Sequence, residues 1–156
     1  RIINILYLVL KDLIESPILY LSKYINENKL EYYRLLQEVK TKENWEDWII
    51  YILKGIEKTS NETLRIVIRI NEEVQLMTDE IKQNLPKLYS KELIDLLFFE
   101  FYTKTIFIQE CLSVSRKTAV KYLNILEKEG ILVSEKIGKE RIYQNKRLFD
   151  IVRYSR

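Results

Sequence analysis

The 156-residue sequence holds no histidine, one cysteine, two prolines and three glycines, and each scarcity removes a class of chemistry. Without imidazole there is no Ser/His/Asp or Cys/His nucleophile system, no histidine base and none of the common histidine metal ligands. The lone Cys111 cannot close a disulfide within the chain, which agrees with a reducing compartment. Set in an apolar helical pattern, it reads as a small buried hydrophobe and not as a nucleophile. Gly55, Gly130 and Gly138 are too scattered to build a phosphate-cradling loop. The longest apolar runs fall far short of the roughly 20 residues of a membrane span, and the opening stretch lacks a signal peptide's basic lead and cleavage site. The expectation is a cytoplasmic protein with no membrane segment.

What is abundant points to helices. Hydrophobic residues make up 47% of the chain, with 11 Tyr and many Ile, Leu, Lys and Glu, enough for packed cores joined by few tight turns. The opening "RIINILYLVLKDLIESP" has no capping residue, and its Ile and Leu spacing reads as a largely buried helix entered partway along. Ser16 followed by Pro17 reads as the start of the next helix, "PILYLSKYINEN". Asn28 introduces a third, with Leu30, Tyr33, Leu36 and Val39 expected on its inner face. From Trp45 the helical period continues to Pro86, as one very long helix or as two with a break near Gly55 to Asn61. Tyr32, Tyr33, Trp45 and Trp48 are expected in the core. "NLPKLYS" is the best boundary, giving parts 1–85 and 90–156.

Charge divides near the same place. Residues 1–102 carry 14 Lys/Arg against 17 Asp/Glu, whereas residues 103–147 carry 10 against 5. The basic part opens with a helix from Ser90 to about Phe101, then a short helix from Thr103 or Lys104 to about Leu112. After the tight connection "SVS", Ser115 caps a helix running to Glu129, with Gly130 as its C-terminal stop. On this helix Ala119, Leu123 and Leu126, with Tyr122 beside them, form an inward stripe, and Lys117, Lys121, Asn124 and Lys128 line the opposite one. "ILVSEKIGKERIYQ" then reads as a hairpin turning at Gly138, its tip bearing Lys136, Lys139 and Arg141.

Helix, short helix, tight turn, basic helix and basic hairpin over residues 90–152 resemble the winged helix-turn-helix family. "ECLSVSRKTAVKYLNILEKEGIL" carries the resemblance, although Ser113 stands where Gly is commoner. The resemblance implies double-stranded DNA as partner. Ser115, Arg116, Lys117, Thr118, Lys121 and Asn124 would lie nearest bases or phosphates, with Lys136, Lys139 and Arg141 on the backbone. An exposed helix face is usually charged in any case, so a protein-interaction or dimerisation module, paired through the long helix or this domain, stays open beside it.

The helical part resembles the C-terminal half of the Fic (Fic/Doc) domain, through "SPILYLSKYI", "EYYRLLQEV" and the pair Trp45 and Trp48. That family transfers AMP from ATP to a protein hydroxyl and carries the signature HPFxxGNGRxGR. Only its last residue has a counterpart, Arg1. The resemblance implies that the catalytic base, the magnesium ligand and the phosphate-holding turn lie upstream. It implies too that ATP and magnesium belong to the parent protein, and that this chain is its C-terminal piece, without catalysis or metal site of its own. The expected fold is mainly α: Fic C-terminal helices, a long linking helix, and a winged helix-turn-helix with a small β-hairpin.

Overall fold

The computed structural model describes residues 2–15 and 19–153. It is mainly helical, with one small sheet, and forms two compact units, residues 1–65 and 66–156. They part inside a helix, although that helix does end at "NLPKLYS", where Pro86 cannot continue it.

The first unit holds α1 (Ile2–Leu10), α2 (Leu21–Glu27), α3 (Lys29–Lys42) and the beginning of α4 (Trp45–Asn84). Its core is Leu21, Ile25, Leu35 and Tyr51, with Tyr24, Tyr32, Trp48, Ile52 and Ile56 against it. Contrary to expectation, α1 is not a buried helix: Ile2, Ile3, Leu6 and Leu10 are all exposed. The inner face of α3 is likewise Tyr32 and Leu35, while Leu30 is 89% exposed and Tyr33 and Leu36 also face outward. The reason is geometric. Residues 30, 33 and 36 step by three and wind off any single face, whereas 32, 35 and 39 step by three and four and stay on one. Trp45 and Tyr33 are surface residues, and of the four aromatics only Tyr32 and Trp48 pack on the core. The helix start expected at Ser16 and Pro17 lies outside the described residues, as does Arg1.

α4 is a single helix of 40 residues. Gly55 does not break it; a Cβ there would stand 2.6 Å from Cδ1 of Tyr24 and 2.9 Å from Cδ1 of Leu21, so the glycine lets α2 lie close against α4. Thr59 is buried and returns its hydroxyl to the Gly55 carbonyl at 2.7 Å, which satisfies it within the helix. Lys58 bonds Glu27 and Lys23 bonds Glu62, both at 2.9 Å, adding two ties between α2 and α4. The bond from Lys58 holds the Glu27 carboxyl below its ordinary range, so this tie weakens as pH falls into the carboxylate range.

The second unit contains the rest of α4, then α5 (Lys91–Phe99), β1 (Tyr102–Lys104), α6 (Thr105–Leu112), α7 (Arg116–Lys128), β2 (Leu132–Ile137), β3 (Glu140–Asn145) and α8 (Lys146–Arg153). Met77 and Ile81 of α4 share one core with Leu93, Leu97, Ile108, Leu123, Leu126, Leu132 and Tyr143. Ser90 caps α5 as expected, accepting from the Leu93 amide at 3.1 Å.

The sequence placed helix where β1 runs. Thr103 is buried opposite Tyr143, and β1 joins the hairpin in an antiparallel sheet of order β1-β3-β2. Three residues are too few to show a period of two. α8 was also not anticipated; buried Asn145 caps it, its Oδ1 accepting from the Leu148 amide at 3.1 Å and its Nδ2 donating to the Leu97 carbonyl at 3.0 Å. Cys111 is exposed, contrary to its apolar pattern. Desolvation, with Glu92 and Asp95 nearby, pushes its thiol up and keeps it protonated.

Candidate nucleic-acid interface

α7 is the element around which the candidate site is built. α6 ends at Ser113, which adopts the left-handed conformation at φ 51° and ψ 42°, the strain accepted where glycine is the easier residue. Ser115 then caps α7, its Oγ accepting from the Thr118 amide at 3.3 Å and lying 3.0 Å from the Thr118 hydroxyl. These two hydroxyls therefore serve each other in the free protein. At the other end the Gly130 amide donates to Glu127 and the Ile131 amide to Leu126, a Schellman stop with Gly130 at φ 73°.

Between these ends the two stripes separate cleanly. Ala119, Leu123 and Leu126 are each 0% exposed, whereas Arg116, Lys117, Lys121, Asn124 and Lys128 all stand in solvent. Arg116, Lys117 and Lys121 form no ion pair with any described residue. Their charge is presented outward and uncompensated.

The hairpin lies beside this stripe. Gly138, at φ 61°, takes the first place of the two-residue turn between Ile137 and Glu140. Pairing sets Leu132 opposite Asn145, Ser134 opposite Tyr143 and Lys136 opposite Arg141. One face of the hairpin thus begins in the core and ends in two cations directly across from one another, an arrangement that costs stability. Glu127 of α7 fixes the hairpin's approach by accepting from both the amide and the hydroxyl of Ser134. Arg116, Lys139 and Arg141 line one groove of about 380 Å³ together with Lys104, whose ammonium holds Glu140. Lys104 belongs to this cationic surface although the sequence pattern did not single it out, because only the pairing of β1 with β3 brings it there.

Residues 74–148 match the family model described as "Protein adenylyltransferase SoFic-like, C-terminal domain". That stretch is similar to a SoFic-like C-terminal domain. The matched stretch takes in the end of α4, both α6 and α7, and the whole hairpin, so the basic stripe and the groove are features of the matched region. The described residues contain no group of three or more His, Cys, Asp or Glu that could hold a metal ion. No described helix is long and apolar enough to cross a membrane.

Proposed function

We propose that residues 90–156 form a winged helix-turn-helix that binds duplex DNA, with α7 in the major groove and the β2–β3 hairpin on the backbone. In this reading residues 1–85 are the closing helices of an AMP-transferring fold, and DNA binding positions or regulates that activity in the cytoplasm. The observation that carries it is the outward, unpaired stripe of Arg116, Lys117 and Lys121 on a helix whose opposite stripe is fully buried. Lys136 facing Arg141 adds to it, since a like-charge pair that weakens the hairpin is relieved by an anion between its two members. Ser115 and Thr118 contribute through the helix start, Asn124 through a side chain able to read adenine, and Lys139 through the turn.

The test is binding of a duplex followed by fluorescence anisotropy over a range of salt. Affinity is expected to fall steeply as salt rises, through release of counterions, and to vanish in the double variant Lys117→Glu/Lys121→Glu. Binding that heparin competes away equally well, or that survives both reversals, overturns the reading. AMP transfer by these 156 residues alone is not proposed, because they include no histidine to act as the family's base. Labelling of a protein target with ATP and magnesium is expected only when the HPFxxGNGRxGR segment is supplied.

A second reading, a homodimer or protein-interaction module, rests on Val67, Ile68 and Leu76, which leave α4 with exposed apolar side chains. It predicts a concentration-dependent dimer in sedimentation, indifferent to the lysine reversals.

A further inference from the structure

At 3.6 residues per turn, the exposed stripe of α7 has two flanks: Arg116 and Glu127 fall to one side of Lys117 and Lys121, and Tyr122 and Ile125 to the other. Each flank borders a groove. On the first, Arg116 faces the hairpin cations Lys139 and Arg141 across the 380 Å³ groove, where the only carboxylate, Glu140, is already held by Lys104. On the second, Lys121, Tyr122 and Ile125 meet the connection between α4 and α5 across a groove of about 510 Å³, and Lys87 supplies a second ammonium. No carboxylate lines this second groove. Lys87 is exposed and makes no ion pair with a described residue.

We infer that the two grooves seat the two phosphate backbones that border one major groove, and that Lys87 is a phosphate contact of the DNA site. The inference rests on the DNA reading above and extends it beyond the helix-turn-helix and the hairpin, to the residue that follows Pro86. Two ammonium groups beside apolar Leu85, Leu88 and Ile125 suit a phosphodiester with its sugar: the lysines neutralise the charge, and the apolar wall accepts the deoxyribose face. Lys87 carries no base information there. It sets the register of α7 on the duplex.

The experiment measures anisotropy of the full chain with two short duplexes of unrelated sequence, between about 50 and 200 mM salt. Lys87→Gln and Arg141→Gln are each expected to weaken both duplexes equally and to reduce the slope of log affinity against log salt by about 1. Lys87→Arg keeps the charge and is expected to restore the slope, and Lys91→Gln, outside both grooves, to leave it unchanged. Circular dichroism confirms that the variants stay folded. If the unaltered chain binds and Lys117→Glu weakens it while Lys87→Gln keeps the full slope, the second groove is empty and this inference falls, leaving the DNA reading intact. If the unaltered chain binds neither duplex at the lowest salt, both fall together.

Discussion

Arg147 forks onto Glu80: Nη1 donates to Oε2 at 2.7 Å and Nη2 to Oε1 at 3.2 Å, while Nη1 also reaches Glu73 at 3.1 Å. The bond to Glu80 is the larger cause of a guanidinium held further above its ordinary value, so the charge persists at every workable pH. The pair joins the first turn of α8 to α4, 67 residues away in sequence. Glu80→Gln is expected to lower the stability of the second unit by about 1 kcal/mol, the scale of a part-exposed bidentate pair. A double-mutant cycle with Arg147→Met, read by thermal melting, should show coupling that shrinks in high salt.

Asn145 is the more expensive residue to lose. It caps α8, bonds the last turn of α5 and is 2% exposed. Asn145→Ala removes a cap and leaves the Leu97 carbonyl unmatched, at about 2–4 kcal/mol in chemical denaturation followed by circular dichroism. Asn145→Asp is expected to be at least as damaging, because it keeps the cap but buries a charge without the donor.

Gly55 tests whether close approach outweighs helix preference. Alanine there would gain about 1 kcal/mol of propensity in a helix interior but would press on the Tyr24 ring, an overpacking worth roughly 1–3 kcal/mol. The net expectation for Gly55→Ala is a loss. Both tryptophans, Trp45 and Trp48, belong to the first unit, so their fluorescence follows the unit that carries the substitution.

Ser113 offers the opposite sign. Its left-handed backbone costs a non-glycine residue about 1–2 kcal/mol, and glycine returns about half of that in chain entropy. Ser113→Gly is expected to raise the melting temperature by a few degrees. A drop in stability would show that the serine hydroxyl contributes a bond of its own.

The basic half was legible in the sequence because its signals are local. Ser90 and Ser115 are caps read from neighbours three residues away, Gly130 and Gly138 are demanded by positive φ, and the two stripes of α7 follow from one period. What sequence hid was tertiary. Lys87 and Lys104 join the cationic surface only through folding, β1 is a strand because β3 lies beside it, and nothing in "QNKRLF" announces that Asn145 is buried. In the first half, the apolar spacing marked α1 and α3 as helices but misassigned what is covered: α1 is exposed, and α3 turns Tyr32 and Leu35 inward instead of Leu30, Tyr33 and Leu36. A pattern specifies which side is oily; only neighbours make it an interior.

Glu127 and the three residues 129–131 leave almost no slack between the end of α7 and the start of β2. Helix and hairpin are therefore expected to move together, so that a load placed on the tip at Gly138 tilts Arg116 and Lys117. Whatever grips the tip also aims the rod.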